Sequence, residues 1–344
     1  MGHQIQIEKS ITTSLTSFLE VNKYSQLIVL VDENTKRYCY PLVKATLPKH
    51  TLIQIKSGEE QKHLETCMMI WQKMTDVQLD RKALLINLGG GVIGDMGGFC
   101  AATYKRGIDF IQMPTTLLSQ VDASVGGKLG IDFQGLKNHI GVFQNPKAVL
   151  IATDFLQTLL YAEVRSGFAE VIKHCLIADS QMWDEIRRKD LEEQSWNELV
   201  RHSVKVKETI VEQDPTEKGL RKILNFGHTI GHAVESYFLE KPKRKLLHGE
   251  AIAIGMIAEA YLSYKRKLLS EESLMQIEEF IFSIYGKVDI QETDMETIAP
   301  LALQDKKNAG GKIQCVLLKA IGEPIIDQAI SLKDIKDGLK YYQK

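Results

Sequence analysis

Histidine and acidic side chains stand at positions in this sequence where they could hold a metal ion. Four histidines lie beside acidic residues or glycines in segments of helical pattern: His174, His228, His232 and His248. A helix over 225–235 would put His228 and His232 on one face, one turn apart. With a carboxylate such as Glu170, in the predicted helix 166–174, two imidazoles would form a catalytic zinc-type site with an open fourth position. The spacing alone leaves open which three groups would bind the metal.

A glycine-rich turn follows a short apolar run and could bind a nucleotide. The run 84–88 is predicted to be a buried strand, and Gly89, Gly91 and Gly94 after it satisfy the pattern G-x-G-x-x-G. Glycines there let the backbone come close to a ligand, and a helix that starts at such a turn directs N–H groups at an anion. Alone the pattern is a weak signal, because glycine turns after strands are common. Asp32, at the end of an earlier predicted strand, could hold a ribose or equally cap a helix.

Further polar residues follow the glycine turn between apolar runs. Residues 115–116, 120–128 and 137–139 are rich in hydroxyl, glycine and charged residues. So many groups of this kind, placed between apolar segments, are typical of a lined cleft and not of a solvated loop.

The order of apolar segments predicts the elements that would position these residues. Short apolar runs, read as buried strands, lie at 26–31, 51–55, 84–88, 109–114 and 148–152. With a helix expected over 62–79, the alternation favours an α/β fold with a mostly parallel sheet, a Rossmann-like domain over 1–153. The pattern then turns helical, with two short strands around Gly322, so 154–344 is predicted to be a mainly helical domain that binds metal and substrate. Because no Gly/Ser/Pro-rich linker joins them, we expect the domains to pack closely, with a cleft between them.

Composition excludes several classes of partner. The 344 residues include 43 basic and 44 acidic ones, so no strong field favours nucleic acid or an anionic membrane. No apolar run approaches the length of a membrane span. Five dispersed cysteines without a C-x-x-C pair fit a reducing compartment, and we expect a cytoplasmic protein.

Six runs of the chain resemble the 3-dehydroquinate synthase family, both in sequence and in order. They are LGGGVIGD, RGIDFIQMPTTLLSQVDASVGGK, LKNHIG, SGFAEVIKH, GLRKILNFGHTIGHAVE and LHGEAIAIGM, within a resemblance that spans roughly residues 25–310. The resemblance implies a dehydroquinate synthase-like fold and a role in the shikimate pathway of aromatic amino acid biosynthesis. It also implies bound NAD, a zinc or cobalt ion, and a homodimer in which Arg106 reaches the neighbouring subunit's site.

The resemblance also assigns site residues one by one. The implied metal ligands are Glu170, His228 and His248, whereas His232 corresponds to a contact of the substrate phosphate. The implied NAD-binding residues are Asp32, Glu59, Lys62, Gly90, Gly91, Val92, Asp95, Thr115, Thr116, Asp122, Lys137 and Thr158. The implied substrate contacts are Lys128, Asn138, Lys173, Lys207, Arg221, Asn225, His232 and Lys306, with Lys307 as the alternative to Lys306.

The implied reaction converts 3-deoxy-D-arabino-heptulosonate 7-phosphate to 3-dehydroquinate and phosphate without net redox change. The substrate is oxidised at C5 by NAD, eliminates phosphate, is reduced again, opens its ring and closes by an intramolecular aldol step. A polyol dehydrogenase would share the metal and NAD sites but would not need the cations Lys128, Lys207 and Arg221. A silent NAD-binding module would lack some of the metal ligands. Another sugar-phosphate cyclase would not need to hold a carboxylate. Lys207 and Arg221, which could bind one, therefore argue against that alternative.

Overall fold

The computed structural model describes residues 4–134, 136–304 and 313–344, and these form two compact units. The first unit extends to Leu160 and includes Trp196–Val204, and the second comprises Tyr161–Ser195 and the chain from Lys205 onward. The strands of the first unit are β1 (Gln4–Glu8), β2 (Leu27–Asp32), β3 (Thr51–Ile55), β4 (Leu84–Gly89), β5 (Asp109–Pro114), β6 (Lys128–Phe133), β7 (Leu136–Phe143) and β8 (Ala148–Ala152). Its helices are α1 (Ile11–Val21), α2 (Glu33–Tyr38), α3 (Tyr40–Val43), α4 (Leu64–Asp76) and α5 (Gly91–Thr103).

Parallel strands form the main sheet of the first unit, in the order β1–β8–β5–β4–β2–β3. The register pairs Ile28 of β2 with Leu85 of β4. Ile28 and Leu30 pack in a core with side chains of α4 and α5, whereas Val29 and Val31 pack in a second core with side chains of α1. Helices on both faces explain why these strands are near-continuous apolar runs. The predicted α/β architecture with a Rossmann-like sheet is confirmed.

The strand order reverses between β2 and β4. From β2, the chain adds β3 on one side of the sheet, and then adds β4 and β5 on the other side. In open parallel sheets, ligands bind at the carboxyl ends of strands beside such a switch point. Asp32 ends β2 and Gly89 ends β4. The topology therefore brings two segments that the sequence assigns to the cofactor to the same edge of the sheet.

Two strand pairings of the first unit were not predicted. β1 pairs with β8 at the sheet edge, in a segment for which no strand was predicted. β6 and β7 form an antiparallel ribbon in the segment predicted to be a polar cleft lining. Gly130 pairs with Gly141 in this ribbon, and a Cβ on Gly130 would lie 2.8 Å from the carbonyl oxygen of Ile140. These glycines mark a close backbone approach within a ribbon and not a loop.

The second unit is mainly helical, as predicted. Its helices are α6 (Tyr161–Ala178), α7 (Ser180–Ile186), α8 (Trp196–Gln213, which begins in the first unit), α9 (His228–Leu239), α10 (His248–Lys265), α11 (Glu271–Tyr285), α12 (Glu292–Leu301) and α13 (Leu332–Gln343). β9 (Ile313–Ala320) and β10 (Glu323–Ile330) form an antiparallel hairpin that turns at Gly322, where φ is 88°. The helix expected over 225–235 begins only at His228, and α10 begins at His248. Both histidines therefore open a helix.

Glycines allow α9 and α10 to pack very closely. A Cβ on Gly231 would lie 3.0 Å from the carbonyl oxygen of Ala251, and a Cβ on Gly255 would collide with the carbonyl oxygen of Gly227. Gly227 has a φ of 77°, a left-handed conformation that suits glycine at the start of α9. This contact fixes the first turns of the helices that carry the two histidines. Among the residues described here, no helix has the length and apolar character needed to cross a membrane.

Candidate functional site

Three side chains of the second unit converge on one point. Glu170 of α6 is fully buried, and its Oε1 lies 3.3 Å from Nε2 of His228 and 3.5 Å from Nε2 of His248. One ligand atom from each of the three residues lies within 4.8 Å of the other two. The resemblance assigns these same residues to the metal.

This cluster fits a divalent metal by its donor set and by its unsatisfied oxygen. Two imidazole nitrogens and one carboxylate oxygen form the ligand set of many catalytic zinc sites. Glu170 Oε1 is buried, and within the described part of the chain no donor meets it in hydrogen-bonding geometry. A buried carboxylate oxygen left without a hydrogen bond is costly unless a cation satisfies it.

The backbone fixes which nitrogen of His228 faces the cluster. Its Nδ1 lies 3.0 Å from the carbonyl oxygen of Phe226, close enough to donate a hydrogen bond. A proton on Nδ1 leaves the lone pair on Nε2, the nitrogen that faces Glu170. His228 is therefore held in the tautomer that a metal ligand requires.

The charges around Glu170 keep the cluster ready for a cation. Burial would raise the pKa of Glu170, but Lys173, which pairs with its Oε2, and the nearby imidazoles hold the pKa well below its usual range. Burial and the charge of Lys173 lower the pKa of His228 to about 4. Burial also lowers the pKa of His248, but Glu170 and Glu235 outweigh it and raise the pKa to about 10. At neutral pH Glu170 is thus ionised and His228 is neutral, whereas His248 carries a second ring proton that a bound metal would displace.

Two acidic residues that the sequence did not single out position this cluster. Glu259 of α10 is fully buried, and its carboxylate accepts hydrogen bonds from the N–H groups of Gly227 (2.7 Å) and Ile230 (3.1 Å), which stabilises the start of α9. Glu250 accepts from the N–H of Leu247 at 2.8 Å and pairs with Arg165 of α6. The signal in the sequence that could have identified them is an acidic residue within a largely apolar segment, because a charge that becomes buried must have partners.

A second group of possible ligands shares one histidine with the first. Ligand atoms of His232, Glu235 and His248 also lie within 4.8 Å of one another. The rings of His228 and His232 are 5.1 Å apart, as expected for residues one turn apart. His228 and His232 are therefore in contact, as their spacing suggests. The buried carboxylate oxygen without a hydrogen bond, however, is that of Glu170, which favours the first group as the metal site.

The predicted substrate contacts of the second unit are mostly buried. Lys173, Lys207 and Arg221 are each at most 5% exposed, which is uncommon for cations in a protein interior. Arg221 donates to the carbonyl oxygen of Pro215 at 2.8 Å, and Asn225 donates from Nδ2 to an acidic side chain at the same distance. Positive charges held in this way suit an anionic ligand. Lys306 and Lys307 lie outside the described residues.

The glycine turn of the first unit borders a small pocket that is partly open to solvent. Gly90 caps α5, and a Cβ on it would come 3.1 Å from Cγ2 of Thr116, so the backbone here is in close contact with a second predicted cofactor residue. The lining includes Gly91 and Asp95 together with Ser124. The combination of glycines, a helix start and small polar residues is the kind of site that holds a phosphate-bearing cofactor.

One buried lysine links several predicted site residues of the first unit. Lys62 Nζ lies 2.6 Å from Asp95 Oδ2, 2.6 Å from Asn138 Oδ1 and 3.9 Å from Glu59. Burial would lower the pKa of Lys62, but Asp95 and Glu59 outweigh it and raise the pKa. Asn138 has a φ of 50°, a left-handed conformation that asparagine tolerates better than most residues. The structure thus joins three predicted NAD contacts to one predicted substrate contact.

The other predicted residues of the first unit are more dispersed. Asp32 caps α2, its Oδ1 accepting from the N–H of Thr35 at 2.7 Å, so the helix-cap alternative is realised at this position. Thr115 is buried and donates from its N–H to Gly89, and Thr158 contacts the thiol of Cys39 at 3.5 Å. Partly buried positions are taken by Val92 and Asp122, and exposed ones by Arg106, Lys128 and Lys137.

Comparisons with known proteins agree with this geometry. A family model described as 3-dehydroquinate synthase N-terminal matches residues 52–166, and one described as 3-dehydroquinate synthase C-terminal matches residues 167–308. The 3-dehydroquinate synthase of Parabacteroides distasonis is 43% identical over 99% of this chain and 98% of its own length.

Solved structures share the fold at lower sequence identity. A 2-deoxy-scyllo-inosose synthase in complex with carbaglucose-6-phosphate, NAD⁺ and Co²⁺ has a TM-score of 0.85 at 24% identity, covering 98% of this chain and 96% of its own. A 2-epi-5-epi-valiolone synthase from Streptomyces hygroscopicus subsp. jinggangensis with NAD⁺ and Zn²⁺ has a TM-score of 0.86 at 22% identity, covering 100% and 97%. With both family models matched in sequence order and a relative aligned over nearly its whole length, the chain belongs to the 3-dehydroquinate synthase family.

Proposed function

We propose that this chain converts 3-deoxy-D-arabino-heptulosonate 7-phosphate to 3-dehydroquinate and phosphate, as a phosphate-eliminating lyase that uses NAD and a zinc or cobalt ion. The observation that carries the proposal is the cluster of Glu170, His228 and His248 in the same unit as the buried cations Lys207 and Arg221. A metal centre alone would suit a dehydrogenase as well. Buried cations add a reason for a substrate with a carboxylate and a phosphate.

In the proposed mechanism the chain supplies position and charge. When bound, the metal supplies a Lewis acid for a substrate hydroxyl and NAD a reversible hydride acceptor. Glu170, His228 and His248 would hold the metal, and the ion pair with Lys173 keeps the carboxylate ionised. Arg221 offers a planar fork for a carboxylate, and His232 lies beside His228, where it can contact a phosphate.

The wider assignments complete the proposal. We place NAD binding in a domain over residues 1–153 and metal binding in a domain over 154–344. The Gly89–Gly91 turn at the switch point of the sheet supports the first assignment, and the Glu170 cluster supports the second. Arg106, exposed and with a φ of 67°, is proposed to reach a partner subunit in a cytoplasmic homodimer.

A phosphate assay tests the redox-neutral cycle. With the heptulosonate phosphate and a small amount of NAD, we expect phosphate to accumulate in large molar excess over NAD, with no lasting NADH absorbance. Continuous NADH production would refute the cyclase and favour a polyol dehydrogenase. Efficient turnover of glucose 6-phosphate, which has no carboxylate, would favour an inosose-type cyclase.

A substrate analogue gives a sharper result. In a phosphonate isostere, carbon replaces the bridging oxygen, so the compound can be oxidised at C5 but cannot eliminate phosphate. We expect at most one NADH per site, because the cycle stalls after oxidation. A Glu170→Ala variant provides the control, and it should produce neither NADH from the isostere nor phosphate from the substrate.

A further inference from the structure

Both nitrogens of the His248 ring face a carboxylate. Nε2 lies 3.5 Å from Oε1 of Glu170, and Nδ1 lies 3.3 Å from Oε2 of Glu235. Glu235 is on α9, two turns after His228, and its side chain is 14% exposed. The ring of His248 is thus held between one predicted metal ligand and one acidic residue that has no assigned role.

We propose that Glu235 is the positioning residue of the metal centre, accepting the Nδ1 proton of His248 and so fixing both its tautomer and its ring orientation. With Nδ1 donating to Glu235, Nε2 is the nitrogen that faces Glu170 and that a metal would bind. Metal-bound histidines commonly donate their second nitrogen to a carboxylate in this way, which also makes the imidazole a stronger ligand. The inference rests on the proposed metal centre.

The two histidines of the cluster have different supports. His228 donates to a backbone carbonyl, that of Phe226, whereas His248 faces the side chain of Glu235. No substitution removes the backbone carbonyl of Phe226, but a single one removes the carboxylate. His248 is also the more exposed ligand, with 26% of its side chain accessible against 11% for His228. The orientation of His248 should therefore depend more on its partner side chain than that of His228.

The same contacts admit another role for Glu235, as a ligand of a second ion with His232 and His248. That role would require Nδ1 of His248 to give up its proton and bind a metal while Nε2 binds the first. A single imidazole would then bridge two cations, which repel each other across a short distance. A hydrogen bond from Nδ1 to Glu235 requires no extra charge, and the geometry favours it.

Metal binding by the intact chain tests the proposal without any substrate. Glu235→Gln keeps the size of the side chain but removes its charge, and Glu279→Gln, at an exposed position of α11, is the matched control. Co²⁺ alone is the probe. Its dissociation constant is measured by competition with a chromophoric chelator, its coordination by visible absorption, and its stoichiometry by titration.

We expect Glu235→Gln to bind one Co²⁺ per chain, about 10- to 100-fold more weakly than the unaltered chain, with a changed visible spectrum. Glu235→Asp, which keeps a carboxylate, should recover part of the affinity, and Glu279→Gln should match the unaltered chain. A purely structural role would lower the unfolding midpoint of the metal-free protein but leave the Co²⁺ spectrum unchanged, whereas we expect the spectrum of Glu235→Gln to change.

Two outcomes would overturn the inference alone. One is an unchanged Co²⁺ affinity and spectrum in Glu235→Gln. The other is two Co²⁺ per unaltered chain and one in the variant, which would make Glu235 a ligand of a second ion. If the unaltered chain bound no Co²⁺, the proposed function would fail together with this inference.

Discussion

Replacing Gly231 with alanine should weaken metal binding without touching any ligand. A Cβ at this position would lie 3.0 Å from the carbonyl oxygen of Ala251 and 3.1 Å from Cα of Ile252, whereas ordinary contacts of a Cβ begin at 3.4 Å. Cδ1 of Ile252 is nearer still, at 2.9 Å, but it can turn aside. The other two neighbours are backbone atoms of α10, so α9 must move away by about 0.4 Å. Metal–ligand distances are held within about 0.2 Å. Because α9 carries His228 and α10 carries His248, we expect Gly231→Ala to bind Co²⁺ about tenfold or more weakly.

Stability should change much less than metal affinity in this variant. Alanine is favoured over glycine in a helix by about 1 kcal/mol, and overpacking costs about 1–3 kcal/mol. The net loss in the free energy of unfolding is therefore about 0–2 kcal/mol, measured by urea unfolding of the metal-free protein. Ser236→Ala, at an exposed position of the same helix, is the control and should leave affinity unchanged. If Gly231→Ala binds Co²⁺ within twofold of the unaltered chain, the close packing of the helices does not set the ligand geometry.

Three other substitutions test the charges of the second unit. His248→Ala should lose both bound metal and phosphate release, measured by metal analysis and the phosphate assay, and full retention of either would contradict the ligand assignment. Arg221→Lys should lower kcat/KM by an amount that corresponds to a loss of about 2–4 kcal/mol in transition-state stabilisation, because lysine cannot reproduce the two-pronged contact with a carboxylate. A change in kcat/KM below twofold would contradict that role. Burial would raise the pKa of Asp294, but Tyr237 and Arg244 outweigh burial and lower the pKa. The ionised Asp294 therefore stabilises the fold fully above about pH 4, and this stabilisation is lost as the pH falls through the folded-state pKa. Asp294→Asn should lower stability at pH 7 and flatten the loss of stability below about pH 4 in urea unfolding, and an unchanged pH profile would contradict this.

The sequence predicted the elements with uninterrupted apolar runs more accurately than the others. The buried strands 84–88 and 148–152 appear in the structure within one residue of the expected bounds. β1 was missed because its alternating residues, Gln4–Glu8, form a short, partly exposed edge strand. The ribbon β6–β7 was missed because its glycines resemble loop residues, although their role is to let two backbones approach.

The site shows the same division between what spacing can and cannot reveal. The spacing of His228 and His232 correctly predicts that their rings are neighbours, but it carries no information about distant segments. Glu170 and His248 join the cluster only because α6 and α10 pack together in the second unit, and it was the family resemblance that pointed to them. Glu235 had no signal at all, since an acidic residue on a helix is usually solvated.

The ion pair of Glu170 and Lys173 is better explained by its effect on charge than by stability. Both side chains are at most 2% exposed, and a buried pair of this kind often adds nothing to stability compared with apolar residues of similar size. Lys173 occupies Oε2 of the carboxylate, which leaves Oε1 to face the two imidazoles. Its positive charge lowers the pKa of Glu170 and, with burial, that of His228, so both groups are deprotonated at neutral pH. A lysine placed here therefore prepares the ligands for a cation, and its ammonium group adds to the positive charge that an anionic substrate would meet.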